Sequence, residues 1–164
     1  MHILSYPELD AACVSTIAPV PGYQHQLIIL MELYYKTGIR PVEGVDPAKW
    51  SVDLMGNFRL ITAKTGQVRT FDPAELPREF VDDILLGRWP FPNIRYSQAE
   101  QYFYKLFPYP LLRKGDRPSG LYAFRYRYVK GLKLDGYPNS QIQSKMAWSD
   151  PELVNRYSGA SLVT

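Results

Sequence analysis

The sequence predicts an α+β fold that is mostly α-helical and contains one small antiparallel three-stranded β-meander. Two observations support this prediction. Signals for helix starts and helix ends recur along most of the 164 residues. Between residues 50 and 71, apolar side chains instead alternate with a period of two, which is typical of half-buried strands. The length suits one full hydrophobic core, so we expect residues 1–164 to form a single domain.

The first part of the chain predicts two helices and a helical turn. Ser5-Tyr6-Pro7-Glu8 is a capping box, and the helix that it opens ends at about residue 17, before Pro19-Val20-Pro21-Gly22. A second helix is predicted over about 23–36, because Thr37-Gly38 is a C-cap signal. Pro41-Val42-Glu43-Gly44 leaves room only for a short turn of helix.

The meander follows. Trp50, Val52 and Leu54 alternate in the first predicted strand, and Phe58, Leu60 and Thr62 in the second, with a turn at Gly56-Asn57 between them. A second turn, Lys64-Thr65-Gly66, leads into a third strand that contains Val68 and Thr70.

The rest of the chain predicts five helices and one long loop. Two helices are expected at about 75–87 and 97–107, and residues 108–120, rich in proline, glycine and basic residues, predict the loop. Pro118 starts a helix that ends near Asp135-Gly136, and Pro138 starts one that ends near Met146. Ser149-Asp150-Pro151-Glu152 starts the last, short helix.

Composition excludes several classes of function. No apolar run approaches the roughly 18 residues of a membrane span, and the N-terminus lacks the pattern of a signal peptide. A single cysteine, Cys13, excludes an internal disulfide framework and a multi-cysteine zinc site. Two histidines, His2 and His25, leave little material for a histidine-rich metal site or a Ser-His-Asp triad.

Positive charge is concentrated in one stretch, although the net charge is only +3. Residues 105–133 contain eight lysines or arginines and one acid, Asp116, whereas residues 1–104 contain nine basic and twelve acidic residues. A local excess of this kind fits either a polyanionic partner or an ordinary solvated face. The basic residues expected to contact such a polyanion are Arg113, Lys114, Arg117, Arg127 and Lys130.

Five residues in a fixed order supply the groups that DNA cleavage through a phosphotyrosine needs. Arg40 and Lys64 come first, and Arg125, Trp148 and Tyr157 follow with spacings of 23 and 9 residues. Arginine holds phosphate oxygens with a bidentate fork, lysine can protonate a leaving oxygen, and tyrosine can attack phosphorus.

The strings around these residues resemble those of the tyrosine recombinase catalytic domain, the group of phage integrases and the Xer and Cre recombinases. TGIRPVEG resembles the first-arginine motif, AKTGQVRTF the hairpin with the catalytic lysine, YAFR the H-x-x-R motif, and AWSDPELVNRY the segment with the nucleophile. Together the motifs extend the resemblance over nearly the whole chain. The resemblance covers only the catalytic part of the family, so we expect the family's N-terminal core-binding domain to be absent from this sequence.

The resemblance implies a site-specific DNA recombinase or integrase. Arg40 and Arg125 would bind the phosphodiester, Lys64 would protonate the departing 5′-oxygen, and Trp148 would donate its indole N–H to the phosphate. Tyr157 would form a 3′-phosphotyrosine, and Glu43 would orient Arg40.

The same resemblance implies further properties of the protein. No metal or other cofactor is required. Double-stranded DNA is the partner, and the protein is a monomer alone and a homo-oligomer, a tetramer, on DNA. It is expected to be cytoplasmic, DNA-associated and of prokaryotic or phage origin, with no membrane partner.

Three positions depart from the family pattern. Tyr122 stands at the motif's histidine, Tyr126 at a frequent second histidine, and Ala147 at the usual glycine. A phenol is poorly matched to general-base work near neutral pH. Two alternatives therefore stay open: a catalytically impaired DNA-binding pseudo-recombinase, and a type IB topoisomerase-like enzyme, which shares this active-site chemistry.

Overall fold

A long helix precedes the first arginine motif in the computed structural model, which describes residues 23–106 and 120–158. Helix α1 (Tyr23–Thr37) ends at Gly38, which has a positive φ of 61° and donates its N–H to the carbonyl of Tyr34. Helix α2 (Pro41–Gly44) is the short turn that the sequence predicts, with proline at its first position. The helix predicted to end near residue 17 lies outside the described residues.

The sheet is the predicted antiparallel meander. Strands β1 (Trp50–Val52), β2 (Phe58–Ile61) and β3 (Val68–Phe71) pair in the order β1-β2-β3. Trp50 pairs with Leu60, and Phe58 with Phe71, so one face of the sheet is apolar and buried. A mostly helical chain with one three-stranded antiparallel sheet confirms the predicted fold class.

Two details of the meander differ from the sequence prediction. Leu54 lies in the turn after β1 and is fully exposed, because the Asp53 carboxylate accepts the backbone N–H groups of Met55 and Asn57 and ends the strand early. In β3 the side chains that face the core belong to Arg69 and Phe71, whereas Val68 and Thr70 are exposed.

Two helices follow the sheet. Helix α3 (Arg78–Leu85) starts three residues later than predicted. A 3₁₀ turn at Pro73–Glu75 precedes it, and Pro77 forces Leu76 into an extended conformation that interrupts the helix. Helix α4 (Tyr96–Leu106) matches the predicted helix at 97–107.

Three helices close the described chain. Helix α5 (Tyr122–Leu134) begins after Gly120, later than the predicted start at Pro118. Helix α6 (Asn139–Lys145) and helix α7 (Glu152–Ser158) follow at the predicted places. In the described ranges, none of the helices has the length and apolar character that crossing a membrane requires.

Buried side chains form two clusters that α5 connects. The larger one, the main core, packs α1, the inner face of the sheet and α3 to α5, with Phe124 contributed by α5. The smaller one, the C-terminal cluster, comprises Val129, Ile142, Met146, Trp148 and Val154. Arg125 lies on α5 between Phe124 and Val129, and it therefore sits where the two clusters meet.

Candidate active site

Gly38 couples the first arginine motif to Arg125. A side chain at position 38 would come within 2.6 Å of the Tyr128 ring, and the positive φ also favours glycine. The Gly38 carbonyl accepts a hydrogen bond of 2.9 Å from Nη1 of Arg125. The glycine of the TGIR string thus lets α1 end close enough to α5 for the two arginines to lie near each other.

Glu43 holds Arg40 in place and also ties the hairpin to it. Its carboxylate is buried, accepts the Arg40 backbone N–H at 2.6 Å, and lies 3.5 Å from Nη1 of Arg40. Oε2 of Glu43, the oxygen that lies near Nη1 of Arg40, also accepts the backbone N–H of Ala63 at 2.8 Å. Ala63 precedes Lys64, so one carboxylate links Arg40 to the turn that carries the lysine.

Lys64 lies in a tight turn between β2 and β3. The Gly66 N–H bonds to the Thr62 carbonyl at 2.9 Å, and the Thr62 and Thr65 hydroxyls are 2.8 Å apart. Glycine suits position 66 because φ there is +68°. These bonds give the Lys64 backbone a defined position beside Arg40.

The Arg125 guanidinium is almost fully buried and is only partly hydrogen-bonded. Besides the bond from Nη1 to Gly38, the Nε and Nη2 atoms have no partner at full hydrogen-bond geometry among the described residues, although the Tyr157 hydroxyl lies close enough to interact with the guanidinium. The rings of Trp148 and Tyr157 lie 5.3 and 5.4 Å from its central carbon and cover it. Burial lowers the pKa of Arg125, and the nearby Tyr157 phenol partly offsets that effect.

Trp148 is positioned by the way in which α6 ends. The Trp148 N–H bonds to the Gln143 carbonyl at 3.0 Å, and the Ala147 N–H bonds to the Ser144 carbonyl at 3.1 Å. These two bonds define a Schellman motif, with Ala147 at the left-handed position and φ of 54°. Glycine is the residue that this position favours. The Trp148 indole Nε1 is buried and has no hydrogen-bond partner in residues 23–106 and 120–158.

Tyr157 lies near the end of α7 within a stack of aromatic rings. Its ring packs on Trp148 at a centroid distance of 5.2 Å and on Tyr126 at 4.5 Å. The Asp150 carboxylate accepts the Glu152 N–H and so begins the helix that carries Tyr157. The stack holds the Tyr157 side chain beside Arg125.

An open cavity of about 500 Å³ brings the predicted residues together. Five of the six residues proposed from sequence for catalysis line it: Arg40, Lys64, Tyr122, Trp148 and Tyr157. The sixth, Arg125, lies directly behind Trp148 and Tyr157. Burial, and next the Tyr157 phenol, raise the pKa of Tyr122, so Tyr122 is a neutral hydrogen-bond donor at physiological pH.

The cavity also includes residues that the sequence reasoning missed. Thr65, Ser149, Asp150, Leu153 and Arg156 complete its lining. Arg156 adds a cation next to the Tyr157 position, and Asp150 is the one acid in the lining that the structure describes. The cavity therefore carries an excess of positive charge, which suits an anionic ligand.

The basic residues expected to bind DNA are less well represented at this cavity. Arg113, Lys114 and Arg117 lie outside the described residues. Arg127 packs its guanidinium 5.1 Å from the Tyr35 ring of α1, and neither Arg127 nor Lys130 lines the cavity. Within the described ranges, no group of three or more His, Cys, Asp and Glu side chains is placed to hold a metal ion.

Comparison with known proteins identifies the fold. No family profile matches the sequence, and no curated protein matches it significantly. Solved structures with the same fold include lambda integrase (residues 75–356) as a dimer bound to a COC′ core site, with a TM-score of 0.70 and 16% identity. They also include XerA recombinase, with a TM-score of 0.66 and 14% identity. A third is the XerH site-specific recombinase bound to difH substrate in a pre-cleavage complex, with a TM-score of 0.62 and 12% identity.

The similarity extends over nearly all of this chain but over only part of each neighbour. It covers 99%, 98% and 96% of this chain, and 62%, 59% and 50% of the lambda integrase, XerA and XerH chains. The chain thus spans between half and two thirds of the length of these solved chains. The protein has the fold of the tyrosine recombinase catalytic domain, as the sequence motifs predict.

Proposed function

We propose that this protein is the catalytic domain of a site-specific DNA recombinase or integrase, in which Tyr157 is the nucleophile. Duplex DNA is its substrate and a homotetramer on DNA its working form. The XerH and lambda integrase structures, bound to a difH substrate and a core site, support DNA as the partner. The roles of individual residues rest on the geometry of the cavity.

The observation that carries the proposal is the set of unpartnered donors beside Tyr157. Arg125 Nε, Arg125 Nη2 and Trp148 Nε1 are buried without a hydrogen-bond partner in the described part of the chain. An unsatisfied buried donor costs about 1–3 kcal/mol, so such groups are uncommon and call for a partner, which is either an ordered water or a ligand. A phosphodiester has two non-bridging oxygens that accept hydrogen bonds and a charge that complements arginine.

In the proposed cleavage step, Tyr157 is the nucleophile and Lys64 is the proton donor. The Tyr157 oxygen attacks phosphorus, the bond from phosphorus to the 5′-oxygen breaks, and a 3′-phosphotyrosine forms. The Tyr157 proton leaves to solvent through the cavity, and Lys64 gives a proton to the departing 5′-oxygen. Rejoining is the same step in reverse, with a 5′-hydroxyl as the nucleophile.

Charge stabilisation comes from the cations around the cavity. Arg40 and Arg125 bind the non-bridging oxygens, where negative charge grows in the transition state. Glu43 keeps Arg40 in position. The Tyr157 ring covers the Arg125 guanidinium in the free protein, so entry of the phosphodiester requires that ring to turn outward.

Tyr122 supports a second candidate, a DNA-binding module without chemistry. Its raised pKa makes it a hydrogen-bond donor rather than a base. Tyrosine in place of the motif's histidine would impair cleavage, which needs a base, more than it would impair phosphate binding. The two candidates differ in whether a covalent protein–DNA adduct forms.

A nicked-duplex assay separates them. The protein is incubated with a pool of nicked duplexes randomised around the nick, and adducts that survive SDS are recovered and sequenced. We expect adduct from the wild type and none from Tyr157→Phe, which keeps the ring and loses only the attacking oxygen. Tyr137→Phe is the matched control, because Tyr137 also packs on the C-terminal cluster but does not line the cavity.

Two results would contradict the proposal. Adduct formed by Tyr157→Phe would mean that another residue attacks. Binding of the pool by the wild type without any adduct would favour the module without chemistry.

A further inference from the structure

Arg69 is a buried cation at a strand position that is ordinarily apolar. It lies on β3 opposite Leu60, its side chain faces the core, and only 3% of its surface is exposed. No carboxylate within the described ranges lies at ion-pair distance from it. Burial lowers the pKa of Arg69 to about 10, and the guanidinium is therefore still charged at neutral pH.

The partners of Arg69 are two helix ends. Its Nη2 donates to the carbonyl of Thr37, the last residue of α1, and its Nε donates to the carbonyl of Lys145, the last residue of α6, both at 2.8 Å. The last carbonyls of a helix lack partners within the helix and carry its negative dipole end. A single planar cation therefore bonds the last carbonyl of each helix, while its Nη1 has no partner in the described ranges.

Each of these helix ends leads directly to a residue of the cavity. Arg40 follows Thr37 by three residues, and Trp148 follows Lys145 by three residues. The rings of Phe71 and Tyr128 lie 4.8 and 5.9 Å from the guanidinium carbon and fix its plane. One side chain outside the cavity thus bonds both of the helix ends that precede Arg40 and Trp148.

We propose that Arg69 is a positioning residue, which sets the distance between Arg40 and Trp148 by holding the ends of α1 and α6 together. The proposal rests on the function assigned above to Arg40 and Trp148. Arg69 does not line the cavity, so it acts on the reaction only through these two residues. Its loss should slow cleavage and leave DNA binding nearly unchanged, because small misplacements affect the transition state more than the ground state.

The experiment compares three variants of the full chain. Arg69→Lys keeps the cation but replaces the rigid planar fork with a single ammonium nitrogen on a flexible stem, so we expect it not to reproduce both hydrogen bonds. Arg59→Lys is the matched control, because Arg59 lies on the adjacent strand, faces solvent and does not line the cavity. Val81→Ala, which truncates a core side chain on α3, controls for a general loss of stability.

Two measurements are made on each variant. The first is hydrogen exchange of the backbone amides in the DNA-free protein. We expect faster exchange at residues 142–148 in Arg69→Lys, with protection in the middle of α1 unchanged, and neither effect in Arg59→Lys. This measurement does not depend on the proposed function.

The second measurement is the rate of adduct formation and the dissociation constant on the nicked-duplex pool. We expect Arg69→Lys to lower the rate by about tenfold to a hundredfold. Its dissociation constant should stay within about twofold of wild type. Val81→Ala should keep the wild-type rate below its melting temperature.

The outcomes distinguish a failure of this proposal from a failure of the proposed function. Unchanged exchange and an unchanged rate in Arg69→Lys would overturn the role of Arg69, as would a loss of binding equal to the loss of rate. A wild-type protein that forms no adduct would refute the proposed function, and the exchange measurement would still decide whether Arg69 holds the two helix ends.

Discussion

Arg40 and Trp148 both follow a helix end with a left-handed residue, but the two surroundings differ. Gly38 supplies the left-handed residue before Arg40, and the neighbouring polar groups are paired: Glu43 with Arg40 and Ala63, and Gly38 with Arg125. Ala147 is the left-handed residue before Trp148. There the indole N–H of Trp148 and two nitrogens of Arg125 have no partner in the described ranges.

The region around Arg40 is therefore preorganised, whereas the region around Trp148 has donors that are free to bind an anion. On the Arg40 side, hydrogen bonds already fix the arginine and the lysine-bearing turn before any substrate is present. On the Trp148 side, stacked rings cover donors that have no hydrogen-bond partner in the described ranges. Preorganised charge on one side and unsatisfied donors on the other are both features that favour binding of a transition state.

The largest effect is expected from removing Lys64, the proposed proton donor on the preorganised side. Lys64→Ala should slow cleavage of an ordinary nicked duplex by about 10²–10⁴-fold, because the 5′-oxygen must then leave without a proton. A duplex with sulfur in place of the bridging 5′-oxygen should restore most of the rate, since a thiol with a pKa of about 8.5 leaves readily as a thiolate. The measurement is the initial rate of adduct formation on both substrates.

Two comparisons show whether the role is specific to Lys64. Lys49→Ala removes a lysine that does not line the cavity, and it should have no effect on either substrate. Arg125→Ala should be slow on both substrates, because it removes charge stabilisation and not the proton. Equal slowing of Lys64→Ala on both substrates would show that Lys64 is not the proton donor.

The same contrast explains which parts of the site the sequence could predict. Motif order and spacing identified Arg40, Lys64, Tyr122, Trp148 and Tyr157, which share one cavity. Spacing works here because Arg40, Lys64 and Trp148 each lie at a helix end or a turn that local sequence determines, and Tyr157 lies on the short helix that follows. The fold class was predicted for the same reason, since the turns and helix ends are local signals.

Other features depend on contacts between distant segments. The buried position of Arg69 depends on which face of β3 packs on the core. In the sequence, Val68 and Thr70 alternate as regularly as Arg69 and Phe71 do, so the pattern alone did not show which pair faces inward. The stacking of Tyr126 on Tyr157 depends on the rotation of α7 against α5. Arg156 lines the cavity for the same reason, although its place next to Tyr157 was a usable signal.

A smaller effect is expected at Tyr122, which lies between the two sides of the cavity. Tyr122→Phe should slow adduct formation by about 5–150-fold, the equivalent of one hydrogen bond of about 1–3 kcal/mol. The raised pKa of Tyr122 keeps the phenol protonated, so its contribution should not change between pH 6 and pH 9. The measurement is the adduct rate of wild type and variant across that range.

Tyr122→His tests the same position by introducing a side chain that can act as a base. An imidazole with a pKa of about 6.5 or lower, beside Arg40 and Arg125, is neutral above that pH and protonated below it. The rate of this variant should therefore rise with pH through its pKa and then level off. A rise of the same shape in the wild type would mean that another group is the base.

The smallest effect is expected at the left-handed residue before Trp148. Ala147→Gly should stabilise the protein by about 0.5–1 kcal/mol, because relief of the left-handed strain exceeds the added freedom of glycine in the unfolded chain. The corresponding rise in melting temperature is about 1–4 °C for a chain of this size.

Gly136→Ala is the matched control: Gly136 holds the same position after α5, has φ of 89°, and has open space where a side chain would go. That substitution should lower the melting temperature by a similar amount. If Ala147→Gly instead lowers it, the alanine side chain makes packing contacts that outweigh its backbone strain, and the two helix ends differ in packing rather than in strain.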